Sequence, residues 1–519
     1  MASPSEKLAE SLDVLRLLQE RDVVAIRSSD LSRTHRERLS RNGFLQEVIK
    51  GWYVPSRPDE SAGESTAWYA SFWQFSAAYL NHLKGKDWCL SPEQSLSLHA
   101  ENWTVPRQLL VRATKARNNI TALPHNTSLL DVRSNLPDDK DIVEKNGLRL
   151  FSLPAALVAC ATRTFEQNPT DLRAALSIVR DASEVLERLL EGGHSTIAGR
   201  LAGAFRNIRR DRIADNIIST MQAAGYQVRE NDPFESQIEI NLSEREQSPY
   251  ANRIRLMWQE MRGQIIERFP KSHGLPKDTA KYLKQVDDIY VTDAYHSLSI
   301  EGYCVSRELI EQVRSGNWTP ETIENDKQQR DAMAARGYWQ AHQKVIKSIE
   351  KVLSGQNAGD ITQNDFSAWY RELFAPSVTA GILRPSDLAG YRNMPVFIRK
   401  SKHVPPSKEA VRDAMPVLFE LLSNETEPSV RVVLGHFVFV YIHPYMDGNG
   451  RMGRFLMNVM MASGGYPWTV VPVEQRSTYM AALEEASVNQ KIIPFAEFLA
   501  GLVEASLNGQ SISKIPLSE

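Results

Sequence analysis

His443-Pro444-Tyr445-Met446-Asp447-Gly448-Asn449-Gly450-Arg451-Met452-Gly453-Arg454 is the stretch from which the rest of the chain can be read. An apolar run at helical length, Val432–Tyr441, precedes it, and a second run, Arg451–Met461, grows out of it. The stretch is therefore a loop delivered to a helix N-terminus, where free N–H groups and the helix dipole attract anions. Gly448 and Gly450 accept φ > 0 and let the backbone approach a phosphate closely, while Asn449 offers a side-chain donor or tolerates the left-handed region. Arg451 and Arg454 occupy neighbouring positions of the new helix and give two planar cations for a polyphosphate. Asp447 is a hard oxygen ligand of the kind Mg²⁺ takes. His443 is the nearby group that takes a proton near neutral pH.

Working outward, the chain from about 250 onward reads as strongly helical, with breaks at Pro270, Pro276, Pro320 and Gly464-Gly465. One exception is Met394-Pro395-Val396-Phe397-Ile398-Arg399-Lys400, short, β-branched and aromatic, which predicts a hairpin ahead of His403-Val404-Pro405-Pro406. A polar, proline-containing linker at about 229–250 separates this part from residues 60–230. There Trp68, Phe72, Phe75 and Tyr79 keep helical spacing and read as core. Gln108–Arg112 and Leu148–Phe151 read as strands, and helices dominate from Leu153 to about Gly225. Arg206, Arg209, Arg210 and Arg212 on one of these helices read as a solvated or partner-contacting face.

At the N-terminus, Leu8, Leu12, Leu15 and Leu18 predict a helix over about 4–20, and Ser28-Ser29-Asp30 opens a second that Gly43 ends. Phe44–Pro55, two apolar stretches about Lys50-Gly51, predicts a hairpin. Helix, helix and hairpin suggest a winged helix-turn-helix over 1–58. Across 31–57, Arg33, Arg36, Arg38, Arg41, Lys50 and Arg57 oppose only Glu37 and Glu47, which sets the positive residues on the recognition helix and wing where DNA phosphates would be met.

The whole chain gives no hint of this. Its 519 residues, several times the ~150 of one typical domain, carry 61 Lys+Arg against 63 Asp+Glu and are 42% hydrophobic, a balance that excludes a disordered, collagen-like or polycationic molecule. Cys89, Cys160 and Cys304 form no CxxC pair and read as reduced thiols. The opening Met-Ala-Ser-Pro-Ser-Glu-Lys has no apolar core, and the best apolar runs are about half the ~20 residues needed to span a bilayer, so the expectation is a cytoplasmic chain with no membrane partner.

The twelve-residue stretch resembles the motif of the Fic (Fido) family, His-Pro-Phe-x-Asp-Gly-Asn-Gly-Arg-x-x-Arg, with Tyr445 in place of Phe. The resemblance runs from about 275 to about 505. Gly390-Tyr391-Arg392, Val396-Phe397-Ile398 and His403-Val404-Pro405-Pro406 look like the family's target-binding flap. Gly465-Tyr466-Pro467, Arg476, Tyr479 and Ala482-Leu483 resemble the segment completing the nucleotide pocket. Tyr370 stands where relatives often have His. The resemblance implies a mainly α fold, an all-helical core with a β-hairpin flap over 250–505, behind a mixed α/β middle domain of unassigned role. It implies transfer of AMP from ATP to a Ser, Thr or Tyr hydroxyl of a target protein or of the chain itself. His443 would be the base, Asp447 would hold Mg²⁺, Gly448, Asn449 and Gly450 would cradle the α- and β-phosphates, Arg451 and Arg454 would clamp the β- and γ-phosphates, and Tyr479 would flank the adenine or sit in the core.

Ser297-Leu298-Ser299-Ile300-Glu301-Gly302 looks like the family's inhibitory motif, Ser/Thr-x-x-x-Glu-Gly/Asn, at the end of a helix spanning 277–302. By that resemblance Glu301 takes Arg454 away from the γ-phosphate, with Ser297 and Gly302 completing the motif. The same glutamate supports AMP removal in some relatives. Leu39–Leu45 and Lys50–Pro55 resemble winged-helix antitoxins of abortive-infection toxin–antitoxin systems, which implies DNA as a partner. A nucleotide-sensing regulator with little transferase activity, or transfer of another nucleotide, stays open from the sequence, as do the target, the operator and homo-oligomerisation.

Overall fold

In the computed structural model, residues 3–58, 65–235, 248–316, 326–510 and 514–515 are described; Pro320 and most of the expected linker, 236–247, lie outside them. Contacts divide the chain into two units, one of residues 1–253 with 397–404 and one of 254–396 with 405–519. The fold is mainly α.

The first unit opens with α1 (Pro4–Gln19), whose Ser3 and Glu6 form a reciprocal capping box. β1 (Ile26–Arg27), α2 (Arg33–Arg41), β2 (Leu45–Ile49) and β3 (Trp52–Pro55) follow, and the strands order β1-β3-β2, all antiparallel. Gly51, at φ 83°, makes the tight turn between β2 and β3. The second helix starts later than Ser28-Ser29-Asp30 suggested: these residues form turns, and Ser32 is the N-cap that accepts from the His35 amide. A small core of Leu15, Ile26, Leu31, Leu39 and Leu45 closes this end.

The inner face of the hairpin, Trp52 and Val54, does not stop at that core. It continues into an aromatic cluster with Trp68, Phe72, Trp73 and Phe75 of α3 (Thr66–Lys84), so contacts do not separate 1–58 from the remainder of the unit. β4 (Cys89–Leu90), α4 (Pro92–His99), β5 (Gln108–Ala113), β6 (Ile120–Leu123) and β7 (Thr127–Arg133) come next. They build a mixed sheet of order β4-β5-β7-β6, with β5 and β7 parallel. β8 (Ile142–Lys145) pairs with β9 (Leu148–Phe151). α5 (Leu153–Ala159), α6 (Arg163–Gln167), α7 (Pro169–Ile178), α8 (Ser183–Glu191), α9 (Ser195–Asn207) and α10 (Asp211–Ala223) complete the unit. The four arginines read on one helix are divided: Arg206 on α9 pairs with Glu230 and Asp215, Arg209 and Arg210 lie in the turn that follows, and Arg212 is on α10.

The expected hairpin at 394–400 is absent: residues 394–398 have no strand. Pro395 removes a donor, Lys400 turns the chain at φ 62°, and the backbone beyond it is engaged elsewhere. Lys402 accepts from the Val105 amide, Lys400 donates to Thr66 Oγ1, and Val404 packs on the aromatic cluster of the first unit.

The second unit is helical: α11 (Pro249–Ile266), α12 (Thr279–Ile300), α13 (Arg307–Ser315), α14 (Asp326–Leu353), α15 (Ala358–Thr379), α16 (Lys408–Asn424), α17 (Pro428–Ile442), α18 (Asn449–Ser463), α19 (Arg476–Asn489) and α20 (Ile493–Leu507). α17 and α18 are buried almost throughout, which is why both read as continuous apolar runs. No described helix is long and apolar enough to cross a membrane.

Candidate active site

The loop between α17 and α18 is built on a reversal at its first residue. His443 caps α17 in the left-handed region, at φ 51°, which costs a residue with a Cβ more than it costs glycine. Arg392, 2% exposed, holds this turn from behind: its amide donates to Pro444 O at 2.9 Å and its Nε to His443 O at 2.9 Å. The same guanidinium donates to Met394 O and Pro406 O, the two ends of the 394–406 segment. The sequence placed Arg392 in a flap; its tie to the His443–Arg454 loop could not be seen there.

His443 Nδ1 lies 3.3 Å from Val440 O, the partner that fixes the proton on Nδ1 and leaves Nε2 as acceptor. Burial lowers its pKa to about 4, so the ring is neutral at physiological pH. Tyr445 stacks face to face on Tyr370, ring centroids 3.8 Å apart and 8° from parallel. The two positions that depart from the expected pattern are therefore in contact with each other.

Asn449 does not face outward. Its Oδ1 accepts from the Tyr445 amide and its Nδ2 donates to Tyr445 O, so it closes the loop on itself. The left-handed residue is Gly448, the N-cap of α18 at φ 83°, and a Cβ there would press into the Phe374 ring. Asp447 is exposed and accepts from the Gly448 amide at 2.6 Å and from Arg451 Nη2 at 3.3 Å.

Both arginines are buried. The Arg451 guanidinium lies 5.0 Å from the centroids of Tyr303 and Phe374, and its Nε has no hydrogen-bond partner. Burial opposes its charge, but Asp447 and its other neighbours outweigh that and raise its pKa. Arg454 donates from Nε to Ser297 Oγ at 2.8 Å and from Nη2 to Ser297 O at 2.9 Å and Glu301 Oε1 at 2.7 Å. Here too burial is outweighed, chiefly by Glu301, and the pKa rises. A Cβ on Gly450 would overlap the Glu301 carboxylate, which therefore lies on the first turn of α18. Gly302, at φ 84°, turns the chain off α12 immediately after it.

The structure thus brings together His443, Asp447, Gly448, Gly450, Arg451, Arg454, Ser297 and Glu301. It leaves Tyr479 in the interior, its hydroxyl 2.6 Å from His436 Nε2. Val396 ends its stretch of the second unit, and Phe397 and Ile398 belong to the first. Tyr303 and Phe374 were missed; Tyr303, next to Gly302, carried no signal beyond that adjacency.

Among the residues read as DNA contacts, Arg33 and Arg41 are 84% and 81% exposed, sharing Glu37, and Lys50 is exposed at the hairpin turn. Arg38 is used internally, donating to Lys7 O and Ser11 Oγ of α1, and Arg36 donates to Ser28 O beside the Tyr53 ring.

Residues 360–461 match the model of the Fic/DOC family. The chain is 26% identical over 266 residues to a protein adenylyltransferase Fic of Nematostella vectensis, covering 49% of this chain and 57% of that one. It is 29% identical over 230 residues to a protein adenylyltransferase Fic of Drosophila grimshawi, covering 43% of each. The chain thus spans about half the length of these curated relatives. A solved structure of Fic-1 (aa134–508) from C. elegans aligns at 18% identity and a TM-score of 0.37, covering 63% of this chain and 91% of that one. The loop from His443 to Arg454 lies inside the span that matches the Fic/DOC family model.

Proposed function

We propose that the chain is an autoinhibited protein adenylyltransferase that moves AMP from ATP to a protein hydroxyl. The observation that carries this reading is the Glu301 carboxylate lying on the first turn of α18 and bonded to Arg454. A helix N-terminus with two buried arginines is an anion site, and here the anion is the chain's own. The carboxylate oxygens stand where phosphate oxygens would lie.

In the released enzyme, Nε2 of His443 takes the proton of the target hydroxyl. The hydroxyl oxygen bonds to the α-phosphorus, the bond from that phosphorus to the β-phosphate oxygen breaks, and pyrophosphate leaves. Gly448 and Gly450 let the start of α18 approach the phosphates, and Arg451 and Arg454 take the charge that accumulates on the leaving group. Asp447 suits Mg²⁺: one exposed hard carboxylate beside a phosphate cradle is the ligand set Mg²⁺ shares with nucleotide oxygens. When bound, the ion neutralises phosphate charge.

Incubation with labelled ATP and Mg²⁺ tests this. Glu301→Gly is expected to label itself at least tenfold more than wild type, and Glu301→Gly with His443→Ala to lose that labelling. Equal labelling of wild type and Glu301→Gly would sink the brake, and labelling that survives His443→Ala would sink the mechanism.

The N-terminal helix, helix and hairpin support a second role as a winged-helix DNA reader, because Arg33, Arg41 and Lys50 point to solvent on the second helix and the wing.

A further inference from the structure

The residue that carries the proposed base sits in a conformation that its sequence disfavours twice. His443 lies at φ 51° and ψ 59°, where a Cβ is crowded, and the proline after it favours extended backbone at position 443. A residue held there persists only when its surroundings over-determine it. On the N-terminal side the tie is that of any helix end: the His443 amide donates to Phe439 O at 3.0 Å. On the C-terminal side Pro444 has no N–H to give, so the turn has to be held through its carbonyls.

Both of those carbonyls go to one residue. The Arg392 amide donates to Pro444 O at 2.9 Å, and its Nε donates to His443 O at 2.9 Å. The two ends of the guanidinium are committed as well, Nη1 to Met394 O at 3.2 Å and Nη2 to Pro406 O. Those bonds fix the plane of the fork, which leaves Nε one direction, towards the peptide between His443 and Pro444. The side chain is buried, so these charge-assisted bonds form where water does not compete for them. Lysine carries the same charge at a single point and cannot reproduce a planar fork.

The imidazole follows the backbone, because φ and ψ set the direction of its Cβ. In this turn Nδ1 faces Val440 O, three residues back in α17, and Nε2 is left as the acceptor. We propose that Arg392 is a positioning residue for His443: by holding the peptide that follows the base in its left-handed turn, it keeps Nε2 as the acceptor presented to the target hydroxyl. The inference rests on the transferase reading above. Arg392 touches neither nucleotide nor target in this scheme; it acts through His443 O and Pro444 O.

The test uses the full chain in the Glu301→Gly background, with Arg392→Lys and Arg392→Gln as variants that keep a long polar side chain and lose the fork. Three quantities are read: the self-labelling rate at saturating ATP with Mg²⁺, ATP affinity by calorimetry, and the nitrogen NMR signals of the His443 ring, assigned by their loss in His443→Ala. A small misplacement of a reacting group is costly, so each variant is expected to label more slowly by on the order of ten- to a hundredfold. ATP affinity is expected to hold to within about twofold, because these bonds of Arg392 lie ahead of the anion cradle that starts at Asp447. The ring is expected to pass from one tautomer, with the proton on Nδ1, to a mixture of both. A labelling rate within about twofold of the parent overturns the proposal, as does a rate that falls only in step with ATP affinity, the mark of a loosened fold. If Arg392→Lys fails to fold, Arg392→Gln carries the comparison. A Glu301→Gly parent that binds ATP but does not label overturns the transferase reading instead, and the ring signals then decide the positioning: one tautomer kept in both variants overturns it.

Discussion

At the scale of single residues, the proposed base His443 would decide how the proposed transfer responds to pH. Its Nδ1 is committed to Val440 O, and burial lowers its pKa to about 4. A base with a depressed pKa is available throughout the range above that value, so it stays competent as pH falls from 8 to 6. The self-labelling rate of Glu301→Gly, measured at saturating ATP, should therefore be flat over that interval to within about twofold. A fall with a midpoint near 6.5, the ordinary histidine value, would show that the ring titrates as if it were exposed. The proposed role of His443 comes from the sequence, where the surrounding glycines and arginines gave it a context. The conformation of its neighbours was not. Asn449 looked like a phosphate donor and is a loop clamp, because its amide finds both backbone groups of Tyr445 four residues back. Tyr370 and Tyr445 looked like unrelated departures from a pattern, and their stacking needed two elements to be placed together.

At the scale of elements, α14 packs against both α12 and α15. Gly337 of α14 lets that helix approach α15 so closely that a Cβ there would fall on the Leu373 carbonyl. Backbone cannot yield as a side-chain end does, so Gly337→Ala is expected to lower stability by about 2–3 kcal/mol, read as a shifted denaturant midpoint at unchanged slope. A neutral result would mean that the helices part without loss. Asp293 works in the opposite sense. Burial raises its pKa to about 6, despite the Tyr338 hydrogen bond and the field of Arg454 that favour the charged form. A raised carboxyl pKa contributes stability fully present below the unfolded-state value and lost as pH rises through about 6. The rise from 3.8 to about 6 corresponds to at most about 3 kcal/mol, of which an asparagine with an unmet amide recovers about half. Asp293→Asn should therefore melt higher than wild type at pH 7.5, with the difference shrinking towards pH 5. A variant that melts lower at pH 7.5 would mean the charged form is stabilised in the fold. The partner of Asp293 could not be read from the sequence, because Tyr338 comes from another helix. The 394–400 segment shows the converse limit. Its β-branched and aromatic residues read as a hairpin, yet a strand needs a partner, and the backbone of Lys400 and of Lys402 just beyond it bonds to Thr66 and Val105 instead.

At the scale of the whole molecule, a formal charge of −2 conceals a stretch at the N-terminus that is locally positive. The structure reduces the candidates there. Arg38 fastens α2 to α1 through Lys7 O and Ser11 Oγ, and Arg36 reaches Ser28 O, so neither is a free cation. Arg33, Arg41 and Lys50 project outward, and Glu37 draws on the first two. An end with about three outward cations gains affinity for DNA mainly from those phosphate contacts. Each released counterion contributes about 0.9 to the log–log salt slope, so the full chain should bind duplex DNA with a slope of about −2 to −3. Replacing Arg33, Arg41 and Lys50 together by alanine should bring the slope close to zero. Arg38→Ala should instead leave the slope unchanged and lower the melting temperature, since it removes the tie between two helices. Fluorescence anisotropy across a salt series distinguishes these outcomes. Binding that is insensitive to salt, or equally weakened by Arg38→Ala and the triple variant at constant stability, would remove the DNA role from this end of the chain and leave the hairpin as part of the aromatic core that Trp52 and Val54 already enter.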